Sequence, residues 1–149
     1  MKKLLLVIDV QKSFITEDTK KILPKIEKLI DSNLYDDVVF TRFINSYESR
    51  FYKDLNYEGC INEYTSSLVI DSKNYKVLKK YTYTSLTDEL KDYIKDNNIE
   101  KIYLCGFDTN ACVFKTALDL FEQNYDFYLL KDYCGSSSGI RLHKDAILN

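Results

Sequence analysis

The run Tyr103-Leu104-Cys105-Gly106-Phe107-Asp108-Thr109-Asn110-Ala111-Cys112-Val113 carries a strand, a break and the start of a helix. Ile102 to Cys105 reads as a short buried strand that Gly106 interrupts. From Asn110 onward the apolar residues Val113, Ala117, Leu120 and Phe121 recur at helical spacing. Cys112 is thereby expected in the first turn of a helix, where backbone N–H groups are unpaired and the dipole end is positive. Both effects favour thiolate over thiol, and such sites bring a cysteine pKa to roughly 3.5–7.5 from about 8.5. The competing assignment is a small apolar side chain filling a gap in the core, a common place for a free cysteine.

Two further segments end in reactive groups. Leu4 to Val10 is an apolar run interrupted by Asp9 near its end, as expected of a buried parallel strand closing on a carboxylate. Val77-Leu78 ends in Lys79-Lys80, just before a turn and another helix. Asp9, Lys80 and Cys112 are thus each expected at the carboxyl end of a strand, the edge where open α/β sheets bind ligands. Each also has a plainer role: Asp9 can cap the following turn, and Lys80 can be one more solvated lysine.

The segments Val7-Ile8-Asp9-Val10-Gln11-Lys12-Ser13-Phe14, Lys80-Tyr81-Thr82-Tyr83-Thr84-Ser85-Leu86 and Gly106-Phe107-Asp108-Thr109-Asn110-Ala111-Cys112-Val113 occur in that order. Thr116 to Phe121 and Lys131-Asp132-Tyr133-Cys134-Gly135 follow downstream. As an ordered set they resemble the isochorismatase-like cysteine hydrolases, the family that includes nicotinamidases and carbamoyl-amidohydrolases. The resemblance runs from Leu4 to about Ile147 and implies an Asp-Lys-Cys triad of Asp9, Lys80 and Cys112. It also implies a non-proline cis peptide at Phe107–Asp108 and a homodimer or homotetramer.

The resemblance also has gaps. The nicotinamidase branch holds a metal with an Asp and several histidines after its second strand. The matching stretch here, Thr41 to Ser49, contains no histidine, and the chain's single histidine is His143. One imidazole without nearby partners does not make a tetrahedral site. Authentic isochorismatases generally lack the cysteine nucleophile, so Cys112 points away from that activity as well. The expectation is a metal-independent amidohydrolase without a cofactor, cleaving a small amide or carbamoyl C–N bond through a thioester. Backbone N–H groups of Asp108 and Cys112 would form the oxyanion hole, while Phe14, Tyr83 and Phe51 would face the substrate. The alternative is a catalytically silent or thiol-redox-responsive member of the fold, with Cys134 as a resolving cysteine.

Composition bounds the rest. The 149 residues are 45% hydrophobic and 30% charged, with a net charge of −2. That fits one globular domain over residues 1–149 and gives no general attraction to nucleic acid or anionic membrane. Met1 to Ile8 begins like a signal peptide, but Asp9 cuts the apolar stretch and no small-residue cleavage site follows. A cytoplasmic protein is expected, with Cys60, Cys105, Cys112 and Cys134 as free thiols.

Strand and helix signals alternate along the chain. Ile22, Leu23, Ile26, Leu29 and Ile30 mark a helix face with Pro24 in its first turn, and Val38-Val39-Phe40 marks a second strand. Ser49 to Asp71 has no clean period and reads as an excursion over the active-site edge, where Phe51, Tyr52, Tyr57 and Tyr64 can line a pocket or cover the sheet. Ser85-Leu86-Thr87-Asp88 resembles a capping box opening the next helix. Gly135-Ser136-Ser137-Ser138-Gly139 matches the serine-hydrolase elbow, but too little chain follows to return an acid and a histidine. It reads instead as a small-residue loop in the pocket wall. The predicted architecture is a three-layer α/β/α Rossmann-like fold with a mainly parallel central sheet.

Overall fold

The computed structural model describes residues 1–148, so the last position of the expected 1–149 domain lies outside it. Its central strand, β1 (Lys3–Ile8), has no exposed face: Leu4, Leu5, Leu6, Val7 and Ile8 are wholly buried. Alternate side chains enter opposite layers, Leu4, Leu6 and Ile8 on one side and Leu5 and Val7 on the other. A strand covered on both faces has no use for polar alternation, which explains the continuous apolar run.

Parallel partners flank β1, with β2 (Asp37–Phe43) on one side and β4 (Lys101–Phe107) on the other. β3 (Lys76–Lys80) pairs with β2 and β5 (Phe127–Gly135) with β4, giving the order β3-β2-β1-β4-β5, parallel throughout. The chain direction across the sheet reverses between β1 and β4, so their carboxyl ends flank the switch point. One face is covered by α4 (Asp88–Asp96) and α5 (Phe114–Glu122), through Leu90, Ile94 and Leu120. The other carries α2 (Leu23–Asp31), through Ile26, Leu29 and Ile30, with Cys60 and Ile70 from the excursion. Each fully buried Leu or Ile contributes about 1.5–3 kcal/mol. Short helices α1 (Glu17–Lys20) and α3 (Arg50–Lys53) and the C-terminal α6 (Ile140–Leu148) complete the chain. Among the described residues no helix is long and apolar enough to cross a membrane.

Several local expectations are corrected. Gly106 does not end β4: the strand continues through Phe107, and Gly106 faces Ile8 across the ladder at φ +117°. A Cβ there would stand 2.1 Å from the Ile8 carbonyl oxygen, so only glycine lets the two strands approach. α4 is capped by Thr87, whose side chain accepts from Leu90 N–H, rather than by Ser85. Ser85 is spent elsewhere: its N–H donates to Thr116 Oγ1 at 2.8 Å and its hydroxyl lies 3.2 Å from Thr41 Oγ1. The buried residues of α5 are Thr116 and Leu120, with Ala117 partly buried beside them, whereas Phe121 is 74% exposed. β5 runs through Gly135, and Cys134 lies within it opposite Gly106.

Candidate active site

Asp9 follows β1 directly, with φ at 49°, a left-handed conformation that aspartate tolerates better than most residues. Thr41, from the neighbouring β2, fixes it: the hydroxyl donates to Asp9 Oδ1 at 2.8 Å and accepts the Asp9 N–H at 3.2 Å. Lys80 closes β3, two strands away. Sheet spacing puts those strands about 10 Å apart, a gap that needs a long side chain. Lys80 Nζ ends 2.9 Å from Asp9 Oδ2 and donates to the carbonyls of Thr82 at 2.8 Å and Tyr83 at 2.7 Å. The pair is almost fully buried, at 0% exposed for Asp9 and 1% for Lys80. Apart from that ammonium, Asp9 Oδ2 has no hydrogen-bond partner. Burial alone would lower the Lys80 pKa; the facing Asp9, and then Cys112, outweigh it and hold the ammonium above its ordinary value.

Cys112 was expected in an α-helical first turn. The chain instead forms a π-helical turn over Thr109–Val113 before α5 begins. The Asp108 carbonyl accepts from Ala111 N–H and Val113 N–H, both at 3.1 Å, and skips the N–H of Cys112 between them. The Cys112 carbonyl takes the Thr116 hydroxyl at 2.7 Å. Cys112 is 5% exposed. Burial pushes its pKa well above the ordinary 9.0, Asp9 adds to the rise, and Lys80 opposes it. Desolvation thus outweighs the advantage of a helix start and shifts Cys112 toward the thiol, opposite to the direction expected.

A cleft of about 590 Å³ opens over Cys112. Phe14, Phe51 and Tyr83 line it, as does Tyr57, together with Phe43 and Phe114, which had no expected part. Phe51 meets Phe43 edge-on at 4.9 Å and Tyr83 edge-on at 4.8 Å. Tyr64 instead stays 67% exposed, beneath the Lys12 ammonium. The Gly135–Gly139 loop forms the opposite wall with Ser137 and Ser138. Ser137 donates to the Asp108 carboxylate from its N–H at 2.8 Å and its hydroxyl at 2.6 Å. Phe107–Asp108 is cis, and His143 Nδ1 lies 2.7 Å from Thr109 Oγ1.

Other residues around the site had been given no role. Gln11 is wholly buried and clamps β2 to the excursion: its Nε2 donates to the carbonyls of Phe43 at 2.9 Å and Ser66 at 2.8 Å, and its Oε1 accepts Phe43 N–H at 2.8 Å. Thr41, Ser85 and Thr116 support the trio from behind. Their sequence signal, a hydroxyl inside an apolar run, is faint. Cys134 packs in the same apolar layer as Cys112, and burial pushes its thiol up to about 12.

An isochorismatase-domain family model matches residues 3–149, and the chain belongs to that family. Isochorismatase domain-containing protein 2 of Xenopus laevis is 42% identical over 67 residues, 42% of this chain and 33% of the relative. The chain spans about a third of the length of the curated relatives it matches. The structure of Pyrococcus horikoshii pyrazinamidase in complex with zinc aligns with a TM-score of 0.87 at 21% identity, covering 99% of this chain and 93% of that one. N-carbamoylsarcosine amidase from Thermoplasma acidophilum aligns with a TM-score of 0.83 at 23% identity, covering 97% and 90%. These structural likenesses establish a shared fold. Among the described residues no group of three or more His, Cys, Asp or Glu side chains is arranged to hold a metal ion.

Proposed function

We propose that this chain is a metal-independent cysteine amidohydrolase that cleaves a small amide or carbamoyl C–N bond. One observation carries the reading: an almost wholly buried Asp9–Lys80 pair, 2.9 Å apart, whose charges act on Cys112, the cysteine that lines an aromatic cleft. Asp9 accepts the thiol proton as the Cys112 sulfur attacks the substrate carbonyl. Lys80 is the fixed cation that stabilises the charge passing between sulfur and carboxylate. The oxyanion is met by the backbone N–H groups of Cys112 and Asp108, a kind of contact worth about 3–4 kcal/mol per donor. As the C–N bond breaks, Asp9 returns its proton to the leaving amine, and a thioester remains. Water then attacks the thioester, Asp9 takes one of its protons and passes it to the departing sulfur. The acid product leaves and the thiol is restored.

Burial and Asp9 raise the thiol pKa while Lys80 lowers it, and Asp9 takes the proton directly or as a pre-formed ion pair. The test is ammonia release from a panel of small primary amides and ureido compounds, with wild type compared against Cys112→Ala. Turnover by wild type alone supports the reading. Equal release by both proteins refutes the nucleophile.

A further inference from the structure

Consecutive residues leading into Cys112 are gripped from one segment, the Gly135–Gly139 loop with the first turn of α6. The Asp108 carboxylate accepts both Ser137 donors, and the Asn110 N–H donates to Ser136 Oγ at 3.4 Å. Between them, Thr109 Oγ1 lies 2.7 Å from His143 Nδ1. The segment is itself anchored. Gly139 N–H donates to the Ser136 carbonyl at 3.0 Å, and Ile140 N–H donates to Asp18 Oδ2 at 3.1 Å, tying the start of α6 to α1. Thr109 opens the π-helical turn that carries Cys112, so its place sets the place of the sulfur.

The Thr109 contact is the one made by an imidazole, the group that ordinarily titrates nearest to neutrality. Thr109 is buried, and among the described residues its hydroxyl has no hydrogen-bond partner other than His143. A buried hydroxyl proton needs an acceptor, so the neutral ring takes it at Nδ1 and carries its own proton on Nε2. Protonation puts a hydrogen on Nδ1 as well, reverses the bond and leaves the Thr109 hydroxyl proton without an acceptor.

The ring borders a polar recess of about 160 Å³ that also receives Asp18 of α1, Lys25 of α2, and Lys131, Asp132 and Cys134 of β5. Lys144 follows on α6, whereas Asp108, beside Thr109, lines the cleft. Burial and then Lys144 hold the imidazole below its ordinary 6.5, against the opposing pull of Asp132. The neutral ring is therefore the state present at neutral pH. His143 is not among the described residues that line the cleft, so it acts through Thr109 and not on the substrate.

We propose that His143 is a positioning residue for the turn that carries Cys112: its neutral ring holds Thr109 in place, and protonation releases that hold and lowers turnover. The proposal rests on the amidohydrolase reading for the role of Cys112 and adds an acid-sensitive control to that site.

The experiment follows ammonia release against pH in the wild type, His143→Asn and His143→Leu, with the amide that the wild type turns over fastest. Asparagine offers an oxygen near the place of Nδ1 and does not titrate, whereas leucine offers no acceptor. At neutral pH His143→Leu should lose kcat on the order of tenfold with KM little changed, and His143→Asn should recover most of that loss. Wild-type kcat should fall as His143 protonates, followed through the single histidine signal of the chain in NMR, and that step should be missing from His143→Asn. Two readouts need no turnover. Nitrogen NMR of the neutral ring should find its proton on Nε2, and the rate of iodoacetamide labelling at Cys112 should change in His143→Leu but not in His143→Asn. The proposal is overturned if the neutral ring carries its proton on Nδ1, if the acid step survives in His143→Asn, or if His143→Leu alters neither kcat nor labelling. A failure of the hydrolase reading would appear separately, as missing ammonia release by the wild type with the labelling contrast intact.

Discussion

The floor and the wall of the cleft are built in opposite ways. The floor, Cys112 with the buried Asp9–Lys80 pair that acts on it, comes from the ends of β1 and β3 and from the turn after β4, and neighbouring groups fix each residue: Thr41 for Asp9, two carbonyls for Lys80, Thr116 for the backbone of Cys112. Much of the wall, Phe51, Leu55 and Tyr57, comes from the excursion between β2 and β3, whose regular structure includes only the four-residue α3. The Phe51 ring is held by edge contacts and that of Tyr57 stacks on Phe14, while Leu55 is 61% exposed. In the proposed mechanism, chemistry would rest on the sheet and recognition on a loop, which can vary without disturbing the fold.

The sharpest break of that contrast lies on the floor. Cys112→Ala and Asp9→Asn should each cut turnover by about 10⁴-fold or more, and the double variant should lose little further, since residues acting as a unit fail together. Asp9→Asn also strands the Lys80 ammonium in the interior and should cost about 3–5 kcal/mol in urea unfolding, whereas Cys112→Ala should not. Gly106→Ala attacks the scaffold beneath the floor. With a Cβ 2.1 Å from the Ile8 oxygen, it should lose more than about 4 kcal/mol of stability.

The pH dependence separates the two charges on the floor. Iodoacetamide labelling of Cys112 should show an apparent pKa well above 9.0 in the wild type. Asp9→Asn should move that midpoint down, because a negative neighbour is removed, and Lys80→Met should move it up. A midpoint indifferent to both substitutions would show that the thiol does not sense the pair. The same shift has a sign for stability. A thiol whose folded pKa is raised contributes fully at neutral pH, and that contribution is lost as pH climbs above the unfolded value.

Changes to the wall should be milder. Phe51→Ala removes the ring between Phe43 and Tyr83 and should raise KM by about tenfold with a smaller effect on kcat, because it removes binding common to the ground and transition states. The smallest expected effect is none: exhaustive chelation should leave ammonia release unchanged. Loss of activity restored by zinc would overturn the metal-free mechanism.

The amino-acid sequence by itself determined the strand–helix alternation, the apolar β1 and the placement of Asp9, Lys80 and Cys112 near strand ends. Those signals are local, since side-chain period and the residues that close an apolar run can be read within one segment. It also carried the aromatic residues of the wall, though not which of them face inward: Tyr57 does and Tyr64 does not. The tertiary structure alone decided the electrostatic surroundings of the Cys112 thiol, the diversion of Ser85 from capping to Thr41, and the need for glycine at position 106. Each depends on partners far apart in sequence. Burial and the Asp9 carboxylate act on Cys112 from across the sheet, and neither the low local dielectric nor the facing charge leaves a trace in the residues beside it.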